Sequence, residues 1–297
     1  MKHNKLIGLL ILLVVYLFAF AVGIASYSLL INFVDHPLLA VLLADIAATI
    51  FVWGCGVILK TASVYDPYWS VQPPLILLCV LIEFGVWDAG AILLLAAVSI
   101  WSFRLTANFI STFSDLSYQD WRYSMLKDKA GKYYQLINLF GICLFPTIVV
   151  FSCTFPMLQY VVNGGSAFNS IALIGFSLII VAIAFETVAD IQMHSFRKSA
   201  HGKGEIIRIG LWKHNRHPNY FGEMLMWWGV YAVVTAINPT LWFTFFGALI
   251  NTVMFLAISI PMAERRLASY KKDFLHYRDE TWMFLPIPFP KQNRESD

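Results

Sequence analysis

Apolar stretches close to the length of a membrane span alternate with short polar segments along the whole chain. A helical span needs about 20 mostly apolar residues. Eight windows meet that description: 6–31, 38–59, 73–87, 90–111, 134–161, 169–192, 219–236 and 240–261. The third is short and carries Glu83. The seventh and eighth are joined tightly at Asn238-Pro239, so seven spans is the alternative count. The run from Leu6 to Ile31 exceeds the roughly 7–15 residues of a signal-peptide core and lacks a clear small-residue cleavage site. It reads as a retained first helix.

The placement of basic residues tests the count. The segments 32–37, 88–89, 162–168 and 237–239 hold no Lys or Arg. With eight spans, all 21 Lys and Arg fall on one side or at its edge, and seven spans would break that agreement. The positive-inside rule then puts both termini in the cytoplasm. The expected fold is an all-α, polytopic transmembrane helical bundle, a single integral membrane domain over residues 1–297.

Composition supports this. Hydrophobic residues make up 59% and charged residues 13% of the chain, against about 25% charged in an average soluble domain. A net charge of +3 gives no footprint for nucleic acid. Cys55, Cys79, Cys143 and Cys153 sit inside apolar runs without CxxC spacing, so neither a disulfide framework nor a zinc site is expected. Seven His, with His214 and His217 the sole close pair, are too few for a di-iron lipid hydroxylase, and no metal is expected.

Polar residues gather in the second half. Glu186, Asp190, His194 and Arg197 follow at i, i+4, i+8 and i+11, one face of a helix. Ionisable groups at membrane depth usually face a cavity or a partner. The alternative is an interfacial helix end where Asp190 and His194 pair. A basic loop, His201 to Arg208, leads to Gly210-Leu-Trp and then Arg-His-Pro-Asn-Tyr-Phe-Gly-Glu223. Gly202 and Gly204 form neither a GxGxxG nor a P-loop pattern. Pro218 suits a first helical turn, with Arg216 and His217 before it. Asn219 and Glu223 share a face and could hold a carboxamide; a plain interfacial helix start is the competing reading. Arg266 and Tyr270 repeat the i, i+4 spacing, either for a phosphate and a stacked base or as a juxtamembrane helix on anionic headgroups. Earlier lie Tyr65-Asp-Pro-Tyr-Trp-Ser-Val-Gln72, Arg104 with Asn108, and Asp120-Trp-Arg-Tyr123. Arg104, Asp190, Arg197, Arg216 and Arg266 are expected to converge on one membrane face as a pocket for a polyanionic ligand with an apolar neighbour.

Gly210-Leu-Trp with Arg-His-Pro-Asn-Tyr-Phe-Gly-Glu223 resembles the C-terminal signature of the steroid 5α-reductase superfamily, and most of all its bacterial-type branch, DUF1295. Asp120-Trp-Arg-Tyr123 is similar to that branch too, as is the proline-rich exit at 286–290. The resemblance covers about residues 60–290. It implies NADPH-dependent reduction of a C=C bond conjugated to a ketone. It implies cofactor contacts from Arg104, Glu186, Asp190, Arg197, Arg216, Asn219, Tyr220, Glu223, Arg266 and Tyr270. The spans in 1–112 would then serve the substrate and 113–297 the cofactor. The family's arginine near the last span falls at Met262 here, so Arg265 or Arg266 must stand in. The carbonyl-polarising tyrosine and glutamate of the steroid enzymes fall near Trp101 and Pro73, so that pair is not carried over. Asp66, Tyr68 and Gln72 are the candidate polarising groups for a lipid-soluble, enone-like substrate.

A second resemblance, to isoprenylcysteine carboxyl methyltransferases, rests on the Arg-His-Pro-x-Tyr-x-Gly string and the Asn238-Pro239 hairpin, and implies S-adenosylmethionine instead. A non-enzymatic lipid-binding or transport protein is a third reading, against which Glu83 alone makes a poor path across the bilayer. The bacterial-type resemblance implies a bacterial plasma membrane rather than the endoplasmic reticulum. The oligomeric state has no signal in the sequence.

Overall fold

The computed structural model describes residues 4–199 and 205–284; residues 201–204 of the basic loop and the exit at 285–290 lie outside them. The described residues are almost wholly helical, and eight helices among them are long and apolar enough to cross a membrane. The chain packs as two compact units, Met1–Phe168 with Ile237–Gly247, and Asn169–Ala236 with Ala248–Asp297. Residues 113–168 therefore fall in the same unit as the first spans, together with residues 237–247.

In the first unit, α1 (Lys5–Leu30) packs along α2 (Pro37–Leu59), α3 (Tyr68–Phe84) lies against α4 (Ala89–Thr112), and after α5 (Trp121–Ala130) and the short α6 (Tyr134–Ile137) comes α7 (Phe145–Val162), which also packs against α3. Lys5 Nζ donates to the Ile110 carbonyl at 2.5 Å, so the start of α1 meets the end of α4, as the basic-residue pattern requires. α2 ends in a Schellman turn: Thr61 N–H reaches Gly56 O at 3.0 Å and Lys60 N–H reaches Val57 O at 3.2 Å. Lys60 takes the left-handed conformation that this turn demands, at φ 59°. The turn delivers a short 3₁₀ segment, Ala62–Val64, and then α3.

The third span thus begins earlier than its apolar window. Residues 62–84 act as one span, and the Tyr-Trp-Ser-Val-Gln segment expected as a connecting loop is the first turn and a half of α3. Pro73 and Pro74 lie inside that helix. Two other prolines have a visible cost. A π-helical stretch, Asn138–Leu144, runs up to Pro146, and another, Phe255–Ser259, runs up to Pro261. A proline has no N–H and its ring crowds the carbonyl four residues back. That carbonyl belongs to Ile142 or Ala257, within the widened turn in each case. Widening the helix there accommodates the ring without ending the span.

In the second unit, α8 (Ala172–Lys198) and α9 (Pro218–Ile237) cross through glycines. A Cβ at Gly222 would lie 2.4 Å from Glu186 Cγ, one at Gly229 2.7 Å from Ile179 Cγ1, and one at Gly175 2.6 Å from the Val233 nitrogen. Close helix approach through small residues is the usual packing solution in a bilayer, where no hydrophobic drive pushes helices together. α10 (Phe246–Met254), α11 (Ile260–Tyr270) and α12 (Phe274–Asp279) complete this part of the chain.

Candidate functional site

The second unit holds nine of the ten expected cofactor residues. Glu186 is 2% exposed and packs against Gly222, immediately before Glu223. Glu223 Oε1 accepts the Trp227 indole N–H at 2.8 Å, which fixes the carboxylate along α9. One turn earlier, Asn219 Oδ1 accepts the Tyr220 N–H at 3.0 Å. The Tyr220 ring lies between His217, stacked at 5.4 Å, and Phe255, tilted at 4.8 Å. Phe255 opens the π-helical stretch, so the widened turn sets one wall beside Tyr220.

Arg216 faces inward. Its Nε donates to Glu264 Oε1 at 2.8 Å, and its Nη1 donates to the Arg278 carbonyl at 2.8 Å and to the Thr281 carbonyl. Its backbone N–H bonds Trp282 O at 2.9 Å, and Asn215 Nδ2 bonds Phe284 O at 2.8 Å. In this arrangement Arg216 clasps the segment after α12 to the start of α9. His217 Nε2 meets the same Glu264 oxygen at 3.0 Å. Burial lowers the His217 pKa, although the Glu264 hydrogen bond opposes the shift. The ring is therefore neutral at pH 7 and donates Nε2–H to the carboxylate.

Two further cations, the exposed Arg266 and the buried Lys271, flank Tyr270, which is 53% exposed. The Arg266 guanidinium lies 5.9 Å from its ring centroid and the Lys271 ammonium 5.6 Å. Lys271 is held by a 2.5 Å bond to the Glu205 carbonyl. Burial lowers the pKa of that ammonium, the Glu205 carboxylate opposes the shift, and the Arg197 guanidinium adds to it. Arg197 thus belongs electrostatically to the same cluster. Asp190 is half-buried on α8, next to Ala189, whose carbonyl accepts the Trp212 indole N–H at 3.0 Å. Gly210, at φ 54°, lets the chain turn beneath Gln192, where a Cβ would lie 2.1 Å from the amide nitrogen.

Sequence reasoning missed Lys271, which sits one residue beyond the expected Arg266–Tyr270 pair. It also missed Glu264, which gathers Arg216 and His217. The signal for Glu264 was the acidic residue opening an otherwise basic string, Glu264-Arg-Arg.

Arg104 belongs to the first unit, half-buried on α4. The three substrate candidates are in that unit as well. Tyr68 and Gln72 line a cavity of about 640 Å³ formed by α1, α2 and α3. Asp66 does not line it; its Oδ1 accepts the Tyr123 hydroxyl at 2.5 Å. The cavity holds a further acid that the sequence reading passed over. Asp45 is 5% exposed, and its Oδ2 accepts Gln72 Nε2 at 3.1 Å. An Asp within an otherwise apolar span was the available signal. Among the described residues no group of His, Cys, Asp and Glu could hold a metal ion.

A family model described as a protein of unknown function, DUF1295, matches residues 52–281. The chain belongs to this family. The match takes in both the Asp45-facing helix α3 and the α8–α12 cluster of this DUF1295 member. It is also similar to an uncharacterized protein, C594.04c, of Schizosaccharomyces pombe, with 22% identity over 86% of this chain and 83% of that protein. No solved structure matches it.

Proposed function

We propose that this DUF1295 protein is a membrane-embedded, NADPH-dependent reductase of an activated C=C bond in a lipid-like substrate, a member of the steroid 5α-reductase superfamily. The observation that carries the reading is the exposed Tyr270 ring flanked by Arg266 and Lys271, with Arg197 close enough to be felt at Lys271. An aromatic platform ringed by cations suits a phosphate-rich dinucleotide: the ring accepts a flat base and the cations accept phosphate. Asn219 and Glu223, one turn apart on α9, offer an amide and a carboxylate to a carboxamide. Asp190, Glu186 and Tyr220 lie on the same two helices. Arg216 serves this site by fixing the start of α9, not by meeting phosphate.

NADPH supplies the hydride when bound. The chain's own residues bind and orient: the cations hold negative charge, Asn219 and Glu223 fix one face of the ring, and the glycine-packed α8–α9 pair keeps both helices rigid. On the substrate side the Tyr68 hydroxyl is the donor best placed to polarise a carbonyl, because Gln72 Nε2 is engaged by Asp45. Preorganised donors of this kind supply much of an enzyme's transition-state stabilisation.

The test is a thermal-shift and calorimetric comparison of purified protein with NADPH, NADH and S-adenosylmethionine. NADPH should stabilise the wild type, and Asn219→Ala, Glu223→Ala and Arg266→Ala should each weaken that effect. Stabilisation by S-adenosylmethionine alone would transfer the reading to a methyltransferase.

A further inference from the structure

The cavity of the first unit has a feature that the cofactor reading leaves unused. Its lining is mostly apolar and includes Phe20 and Ile24 of α1 and Leu75 and Ile82 of α3, all four exposed, beside the polar Ser28, Asn32 and Glu83. Within the lining, Asp45 of α2 and Gln72 of α3 meet. Asp45 lies eight residues into α2, about 12 Å along its axis at 1.5 Å per residue. The polar pair therefore sits within the depth of the hydrocarbon layer, reached from the side between α1 and α3.

Gln72 is 4% exposed, and its hydrogen bonding is half complete. Nε2 is given to Asp45, while the carbonyl Oε1 has no partner in the protein. A buried carbonyl without a partner is unfavourable, since it has given up water and gained nothing. The missing partner must be a donor. Tyr16 cannot serve, because its hydroxyl is committed to the Val64 carbonyl at 2.7 Å. The volume of about 640 Å³ falls within the range of about 300–1,000 Å³ usual for small-molecule sites.

We propose that this groove binds a hydroxyl-bearing lipid drawn laterally from the bilayer, its apolar body between α1 and α3 and its hydroxyl donating to Gln72 Oε1. The Asp45 side chain aligns the amide so that the oxygen is presented to the lipid head. The ligand class is a long-chain or polycyclic alcohol, and not an ether or ester that can only accept. Tyr68 lines the same cavity, so the proposal names the ligand class of the substrate side of the reductase reading; its test involves no nucleotide, and a failure to bind NADPH would leave it standing.

Two conjugated tetraene probes of one chain length test it: parinaryl alcohol and its methyl ether. Binding is read from tetraene fluorescence with the full chain in nanodiscs, after subtraction of empty nanodiscs. Saturable binding of the alcohol is expected, with a preference over the ether of roughly three- to tenfold, the worth of one hydrogen bond. Gln72→Leu should bind both probes alike, and Leu75→Trp, which narrows the opening, should weaken both. No saturable binding, or equal affinity of the wild type for alcohol and ether, overturns the proposal. If Gln72→Leu fails to fold, the comparison on the wild type decides alone.

Discussion

The Tyr123 hydroxyl donates to the Asp66 carboxylate at 2.5 Å, joining the segment before α3 to α5 (Trp121–Ala130). Asp120, one residue before α5, caps it by accepting the Arg122 N–H at 2.8 Å and also pairs with the Arg122 side chain at 2.9 Å. The Asp-Trp-Arg-Tyr string is thus a folding element: Asp120 starts the helix and Tyr123 secures it to Asp66. Tyr123→Phe should lower stability by about 1–3 kcal/mol, the cost of leaving a buried acceptor without its donor. Asp66→Asn, which keeps an acceptor oxygen, should cost less. Lipid-probe binding measured beside Tm should be unchanged in both variants; a selective loss of binding at unaltered Tm would return Asp66 to the substrate site.

Gly222 sets the distance between α8 and α9. A methyl group there would meet Glu186 Cγ at 2.4 Å and the Ala182 carbonyl at 2.9 Å. The carbonyl belongs to a helix backbone and cannot yield. Gly222→Ala should destabilise the protein by about 1–3 kcal/mol through overpacking, visible as a lower Tm in detergent. It should also weaken NADPH binding, because the same shift moves Glu223. Gly54, whose Cβ would meet nothing within 4 Å, is the control; Gly54→Ala should be tolerated.

Arg216 and Glu264 form an ion pair 2.8 Å long, with side chains only 8% and 16% exposed. Removing one partner of such a buried pair leaves a charge without compensation and typically costs about 3–5 kcal/mol. Arg216→Met should therefore unfold the chain or lower Tm sharply, and the double variant Arg216→Met with Glu264→Leu should recover part of the loss. A thermal double-mutant cycle reads this directly. A phosphate-binding Arg216 would instead give normal Tm and poor nucleotide affinity.

The same knot makes stability depend on pH. Burial holds the His217 pKa below its ordinary value. The unfolded chain then binds more protons than the folded one once pH drops below about 6.5. Stability is full above that pH and falls as pH decreases toward the depressed folded value. His217→Gln, which keeps a donor for Glu264, should flatten the slope of Tm between about pH 6.5 and 5.

Charge around Tyr270 should show in salt dependence. Arg266→Ala and Lys271→Ala should each reduce NADPH affinity, and the salt sensitivity of binding should fall with each cation removed. Lys271→Ala should also release the Glu205 carbonyl, so its effect should include faster hydrogen exchange in that segment. Wild-type NADPH affinity in both variants would remove the cluster from the cofactor site.

Hydropathy marked the spans, because a bilayer requires each crossing to satisfy its own backbone and present an apolar exterior, and the one-sided placement of Lys and Arg chose eight over seven. The same pattern left the edges open: α3 starts before its apolar window, where the Schellman turn at Lys60 and Thr61 ends α2 and leads through Ala62–Val64 into it. The motif spacing put Asn219, Glu223, Arg266 and Tyr270 on helix faces, because i, i+4 geometry is local. Which cations face outward was not local. Arg216 and Arg266 are the same residue type beside similar helices, and only the segment arriving after α12, with Glu264, turned Arg216 inward. Gln72 was legible as polar, but its partner is 27 residues away at Asp45, and sequence carries no distance between helices. Tertiary packing decided which buried groups are satisfied, because hydrogen bonds in an apolar medium form between whichever elements bring donor and acceptor together.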